Sequence, residues 1–387
     1  MARIRDLGEV RTGRQLSANP AQGELRPYLR VANVFDGYID TADVFQMRFT
    51  DSEYQTYHLR PGDILLNEGQ SLELVGRAAM YAGDPPECCF QNSLVRFRAG
   101  AGVDSHYMLE VFRFFQQSGR FARIALKTTS IAHLGTARFA NLAVPIPPVQ
   151  IQRSISRLLN QFAQVITTQS RLIARKKESM RAIAQTLFAG TSGSAVLDER
   201  LVRLRDVTRE LRETNGRERE ASRVMGVSKF DGIVPMRERT IGTDLTRYKI
   251  LRPGAFAYNP MRVNIGSIAR WMGEEKVLVS PDYVVFEAIP GELDDRFLDH
   301  FRRSQAWQRY IDAAGNGSVR VRIYYDDLAA MPLRLPPVQA QRRIADVLDL
   351  LDREISLLQR QRDLLDKQKR TVTQKLLAGD VHLKADN

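Results

Sequence analysis

The sequence predicts an α+β protein built on one plan used twice. Each copy is a globular domain followed by a long helix, and the two helices pair as an antiparallel coiled coil with pseudo-two-fold symmetry. Three observations predict it. Residues 146–159 read IPPVQIQRSISRLL and residues 335–348 read LPPVQAQRRIADVL, an offset of 189. The same offset relates LFAG at 187–190 to LLAG at 376–379, so a block of more than 40 residues recurs without a gap. Both blocks carry apolar residues at alternating spacings of three and four, the pattern of a helical seam.

Residues 1–145 form the first globular domain. Short β-rich runs are punctuated by turn signals such as Pro61-Gly62-Asp63 and Asn92-Ser93, and YMLEVFRFFQQ at 107–117 is helix-like. Residues 146–190 form the first long helix. Pro147-Pro148 stand where a helix start tolerates proline and Gly190 where a helix end favours glycine. Its seam is Ile155, Leu158, Phe162, Ile166, Ile173, Met180, Ile183 and Leu187, with polar breaks at Gln169 and Lys176. Residues 191–196 form a linker in the small polar stretch that starts at GTSGS.

Residues 197–334 repeat the globular plan. RPGAFAYN at 252–259 mirrors RPGDILLN at 60–67, Gly266 mirrors Gly76, YVVFEA at 283–288 mirrors LVRFRA at 94–99, and LRDV at 204–207 mirrors LGEV at 7–10. FLDHFRRSQAWQRYI at 297–311 mirrors the helix-like stretch of the first copy. Residues 335–379 form the second long helix, opening at Pro336-Pro337 and closing at Gly379. Its seam is Ile344, Val347, Leu351, Ile355, Leu358, Leu365, Val372 and Leu376, with breaks at Arg362 and Lys369. Residues 380–387 are a tail.

Composition narrows the function classes. A chain of 387 residues has room for two domains, and 43% hydrophobic residues argue against disorder. No run approaches the ~18 apolar residues of a membrane helix. Charges occupy the positions in MARIRDLGEV where a signal peptide needs its apolar core. Cys88 and Cys89 are adjacent, which excludes a disulfide framework or a cysteine-rich zinc module. A cytoplasmic, non-membrane protein is expected. The net charge of +12 favours an anionic partner, nucleic acid foremost.

Catalytic motifs are missing. A methyltransferase acting on DNA amino groups needs Asn/Asp-Pro-Pro-aromatic and a glycine-rich cofactor loop. Asp84-Pro85-Pro86-Glu87 ends in an acid, and Asn259-Pro260-Met261-Arg262 lacks the second proline and the aromatic. The stretch from Phe97 to Gly102 has its glycines out of step and reads as a strand-to-helix loop. A nuclease needs clustered carboxylates around magnesium. Asp63 followed by Glu68 is the best candidate, but position 63 becomes Ala255 in the other copy. Asp326-Asp327 reads as a solvated turn. The histidines at 58, 106, 133, 300 and 382 show no ligand spacing.

Basic segments sit where each globular part meets its helix. From Val111 to Lys177 no acid occurs, while Arg113, Arg120, Arg123, Lys127, Arg138 and further arginines and lysines do. The second copy has Arg302, Arg303, Arg309, Arg320 and Arg322, with Asp312 the one acid between Arg302 and Tyr325. Arginine's planar fork suits phosphates and guanine edges. KTTSIAHL at 127–134 and GNGSVRVRI at 315–323 lie inside these regions. Each reads either as an ordinary polar loop or as a loop aimed at base edges.

The whole arrangement resembles the specificity (S) subunits of Type I DNA restriction–modification systems. The matching residues are PPVQIQRSISRLL and PPVQAQRRIADVLDLLDREI at the helix starts, and QTLFAG and QKLLAG at their ends. LRPGDILLN with VGRAAM, and LRPGAFAYNPMRVNIGSI, resemble the body of that family's target recognition domains. The resemblance implies a non-catalytic, sequence-specific subunit that binds double-stranded DNA. Each globular domain would read one half of a bipartite, asymmetric target, and the helix pair, ~55 Å long at ~1.5 Å per residue, would fix the gap. Two methyltransferase (M) subunits would dock on the helices, and restriction/translocase (R) subunits would join. This chain would hold no cofactor, and S-adenosylmethionine, ATP and magnesium would sit on the partners. The resemblance carries DNA contact to Lys127, Thr128, Thr129, Ser130 and His133 in the first copy. In the second it carries it to Tyr258, Asn259, Arg262, Asn264, Asn316, Ser318, Arg320 and Arg322. The rival readings are a single-chain DNA methyltransferase or nuclease, and a coiled-coil interaction scaffold.

Overall fold

Two apolar runs, around Leu94 and around Val284, become central strands of two sheets with one strand order. The computed structural model describes residues 1–15, 22–127, 131–188, 199–216, 220–229, 231–236, 240–314 and 322–378. By contacts the chain divides into two units, residues 1–169 with 361–387, and residues 170–360. The divisions fall inside the two long helices, so each unit holds one globular part and a piece of both helices. The linker 191–196, Gly190, Gly379 and the tail 380–387 lie outside the described residues.

In the first unit Gly8–Thr12, Leu94–Ala99, Ile64–Asn67 and Ala78–Met80 lie side by side, every pair antiparallel. Side chains alternate across these strands. Ile64, Leu66, Val95 and Phe97 join the cluster that contains the helix Ser105–Gln117, while Leu65, Ala79 and Leu94 join Cys88 and Phe90. Both faces are covered, so Ile64, Leu65 and Leu66 form an apolar run without alternation, while Leu94–Ala99 buries Arg96, which pairs with Glu9 at 2.9 Å. Phe97 meets Phe112 of the helix edge-on, centroids 5.3 Å apart. A smaller sheet runs Phe45–Phe49, Glu24–Leu29, Cys89–Phe90, its last pair parallel. Both cysteines are buried there, and burial pushes the Cys89 thiol up to about 12, so neither is a poised nucleophile.

The second unit repeats this order with Thr208–Glu210, Val284–Ala288, Phe256–Tyr258 and Ile268–Arg270. Its second sheet also contains a parallel pair, Val224–Ser228 beside Val277–Val279. The repeated glycines have a backbone reason. Gly76 and Gly266 adopt φ of +75° and +91°, a region that side chains disfavour. A Cβ at Gly76 would lie 2.3 Å from Phe121 Cδ2.

The long helices run Val149–Phe188 and Val338–Ala378, each starting directly after its proline pair. The glutamine of each Pro-Pro-Val-Gln-x-Gln motif explains that motif. Gln152 is buried, and its Oε1 accepts from the Asp104 N–H at 2.9 Å. Its Nε2 donates to the carbonyls of Pro147 and Gly102 at 2.8 and 3.3 Å. Gln341 does the same: Oε1 accepts from the Asp294 N–H at 2.8 Å, and Nε2 donates to Pro336 and Glu292 at 2.8 and 3.0 Å. Asp104 and Asp294 are themselves the N-caps of the domain helices. Each glutamine therefore ties the start of a long helix to the start of a domain helix.

The helices pair antiparallel in both units. In the first, Ile155 and Leu159 share a cluster with Leu376 and Leu377, and further along Gln169 Nε2 donates to Gln361 Oε1 at 3.0 Å. In the second, Lys176 pairs with Glu354 at 2.7 Å, and Leu187 and Phe188 share a cluster with Ile344 and Leu348. Gln169 and Lys176, expected as breaks, are thus made into bonds between the helices. Two seam positions are corrected. Val347 is 51% exposed and Ile183 39%, while Leu348 and Leu159 are fully buried. Each helix packs on a globular part as well as on its partner, which widens and turns its buried face relative to a pure seam.

Candidate nucleic-acid interface

Carboxylates of the nuclease and methyltransferase candidates have structural partners. Asp63 is buried and takes both Nε and Nη2 of Arg98 at 2.7 Å, plus the Arg60 N–H at 2.8 Å. Asp327 caps a short helix by accepting from the Tyr324 N–H at 2.9 Å. Glu87, at the end of Asp84-Pro85-Pro86-Glu87, pairs with Arg26. Among the described residues no group of three or more His, Cys, Asp or Glu could hold a metal ion.

Glu68 has a different role. The chain leaves strand Ile64–Asn67 and forms Gly69–Gln70, which pairs with Ala132–His133, and that in turn pairs with Leu126–Lys127. Glu68 Oε2 accepts from His133 Nδ1 at 2.9 Å, and Oε1 accepts from the Gly135 N–H at 3.3 Å. The His133 side chain is 44% exposed. Lys127, Leu126 and Ile131 are exposed beside it. This small sheet places Lys127 and His133 on adjacent antiparallel strands. Thr128, Thr129 and Ser130 lie outside the described residues.

In the second unit the equivalent strand, Phe256–Tyr258, runs into a turn. Asn259 Oδ1 accepts from the Met261 N–H at 2.9 Å, closing an Asx-turn. Arg262 and Asn264 stand exposed on that turn, anchored by buried Val263. The Ile323 N–H donates to the Pro260 carbonyl at 3.1 Å, bringing Arg322 alongside. Asn259 and Arg322 line a cleft of about 510 Å³ together with Lys249, Arg212, Tyr283 and Tyr324. Burial holds the Lys249 ammonium below its usual range, and its Nζ donates to the Tyr283 carbonyl at 2.6 Å. Asn316, Ser318 and Arg320 lie outside the described residues.

One expected contact is corrected. Tyr258 is fully buried, edge-on to Phe286 at 6.2 Å, and burial pushes its phenol far up. It occupies the inner face of a strand covered on both sides, so nucleic acid cannot reach it.

The basic segments also shrink. Arg113 is bound by Asp36 and Glu110 at 2.7 and 2.9 Å. Arg302 and Arg303 both hold Asp299 at 2.7 Å, and Arg303 reaches Asp352 at 2.8 Å. These arginines fasten domain helices, and Arg113 and Arg302 are largely buried in doing so. Arg309 and Arg322 remain exposed. Sequence reasoning missed Glu68 as the partner of His133. The signal available was a carboxylate directly after a buried strand and before a glycine.

Residues 1–175 and 261–367 match the family model for the Type I restriction modification DNA specificity domain. The putative type I restriction enzyme MjaX specificity subunit of Methanocaldococcus jannaschii is 22% identical, covering 92% of this chain and 88% of that protein. The type I restriction enzyme EcoKI specificity subunit of Escherichia coli K12 is 28% identical over 193 residues, 48% of this chain and 41% of that one. Among solved structures, the S subunit of a Type-I restriction-modification system from M. genitalium superposes with a TM-score of 0.59 at 14% identity, covering 97% of this chain and 95% of that chain. A chain from a structure of type I R-M complex assembly gives 0.61 at 15% identity, covering 98% and 97%.

Proposed function

The chain belongs to the Type I restriction–modification DNA specificity family, and from that premise we propose that its two globular parts each read one half of a bipartite, asymmetric DNA target. It is a specificity subunit, and the chemistry belongs to its partners. The observation that carries the reading is the contrast between two equal scaffolds and two unequal surfaces. The four-stranded sheets share one order, yet the strand ending at Asn67 leads into Glu68, which binds His133, while its counterpart leads into the Asn259 turn beside a cleft lined by Lys249 and Arg322. Equal scaffolds with different surfaces suit two different half-sites. The contacts assigned to DNA are Lys127 and His133 in the first, and Asn259, Arg262, Asn264 and Arg322 in the second.

Methyltransferase subunits carry S-adenosylmethionine, and restriction subunits carry ATP and magnesium. The second long helix offers a docking face for a methyltransferase subunit. A Leu-Leu-x-Arg/Lys heptad recurs at 350–353, 357–360 and 364–367. The first leucine of each, Leu350, Leu357 and Leu364, is 67%, 62% and 61% exposed, while Leu351, Leu358 and Leu365 are half-buried. Exposed heptad leucines are a seam without a visible partner. No helix among the described residues is long and apolar enough to cross a membrane. A complex that reads DNA is proposed to work in the cytoplasm, where its target lies.

The test is methylome sequencing of cells that express this chain with its methyltransferase partner, against cells lacking it. Loss of one motif of two short half-sites with a fixed gap supports the proposal. Exchange of residues 1–145 for those of another specificity subunit is expected to change one half-site and leave the other. Survival of every methylated motif without this chain would overturn it.

A further inference from the structure

The Glu68–His133 pair has a chemistry more specific than contact with DNA. Glu68 is fixed on several sides: its carbonyl accepts from the Leu134 N–H at 2.8 Å, Oε1 takes the Gly135 N–H, and Oε2 takes His133 Nδ1. A carboxylate oxygen can only accept, so the imidazole proton sits on Nδ1. A neutral imidazole has one such proton, which leaves Nε2 as a bare acceptor. The ring lies over Gly69, where an added Cβ would come within 3.4 Å of His133 Cε1, and Arg138 Nη2 donates to the His133 carbonyl at 2.9 Å.

In the major groove an acceptor finds a donor on two bases only, N6 of adenine and N4 of cytosine; guanine N7 and O6 and thymine O4 are acceptors. Resting on the DNA-reading function above, we propose that His133 Nε2 is a specificity-determining acceptor that reads an exocyclic amino group at one position of the first half-site. Glu68 is its positioning residue, and it sets the tautomer.

The geometry supplies an unusual test, Glu68→Gln. The Gly135 N–H keeps its bond to the amide oxygen, which turns the amide NH₂ toward His133 Nδ1. The hydrogen bond then runs the other way, the proton moves to Nε2, and an acceptor becomes a donor. The complex of each variant with its methyltransferase partner is expressed in cells, and the methylated motif is mapped. Glu68→Gln is expected to move preference at one position of one half-site toward a base presenting an acceptor to that atom. His133→Phe, which keeps a ring but no acceptor, is expected to relax the same position by roughly tenfold. The base that the wild type requires there, adenine or cytosine, identifies which amine is read. An unchanged motif in both variants overturns the assignment while leaving the two-half-site function intact. So does loss of all methylation in Glu68→Gln, because the pair would then be a structural prop. Absence of any bipartite motif in the wild type would instead strike the function itself.

Discussion

Gln152 and Gln341 make the same three bonds in the two units, whereas position 63 and its counterpart share nothing. In the first unit a buried Asp63 holds Arg98; in the second, Ala255 is buried without a charge. The repeat thus preserves what attaches helix to domain, and lets the interior of each sheet and its outer surface diverge. An attachment must satisfy the same backbone groups in both places. A sheet interior only has to be filled and its polar groups paired, which a carboxylate–guanidinium pair or a small apolar residue both achieve.

The largest effect expected from breaking this comparison is at Asp63. Asp63→Ala leaves Arg98 part-buried without its partner and is expected to cost about 3–5 kcal/mol in denaturant unfolding. Adding Arg98→Leu should recover most of that loss, since no uncompensated guanidinium would then remain part-buried. A double variant as unstable as the single one would show that the two scaffolds are not interchangeable there.

Next come the glutamines. Gln341→Leu and Gln152→Leu each strand a buried N–H and two carbonyls, at about 2–3 kcal/mol apiece. Near-equal losses in denaturation of the two variants would confirm that the attachments are equivalent, and a large inequality would deny it.

A smaller effect, expected in both units, depends on pH. Burial alone would raise the Asp299 carboxyl, but Arg302 and Arg303 outweigh it and hold Asp299 below the usual range. Asp36 is likewise lowered, by Arg113 against the pull of burial. A depressed folded pKa stabilises above the unfolded value near ~4 and is lost as pH falls through the folded one. Stability should therefore be flat from neutral pH to about 5 and decline below about 4. Asp299→Asn should lessen that acid dependence, read as the unfolding midpoint against pH.

The smallest effect on stability is expected from Leu350→Gln with Leu357→Gln, within about 0.5 kcal/mol because both side chains are exposed. The same variant should bind the methyltransferase subunit markedly more weakly in co-purification. Unchanged assembly would move the docking face elsewhere.

Much of this architecture is legible in the chain. The exact offset between the Pro-Pro-Val-Gln segments, the 3-4 spacing behind them and the paired Gly76 and Gly266 all state local requirements. A helix start, an apolar stripe and a left-handed turn depend on neighbours a few residues away, and periodicity shows them directly. The strands around Leu94 and Val284 were legible for the same reason. Tyr258 was misread because a strand covered on both faces offers no polar alternation to say which side chains point outward.

What only the tertiary structure decided is the fate of the charges. Arg113 finds Asp36 from 77 residues away, Arg303 finds Asp352 from 49, and His133 finds Glu68 from 65. Counting arginines along the chain marked these segments as basic, but a charge binds a ligand only if folding leaves it unpaired. By itself the sequence determined the twofold plan, its helices and its family, because those follow from local pattern. Which polar groups remain free to meet DNA was settled by contacts between distant residues, because ion pairs form in space and leave no period in the chain.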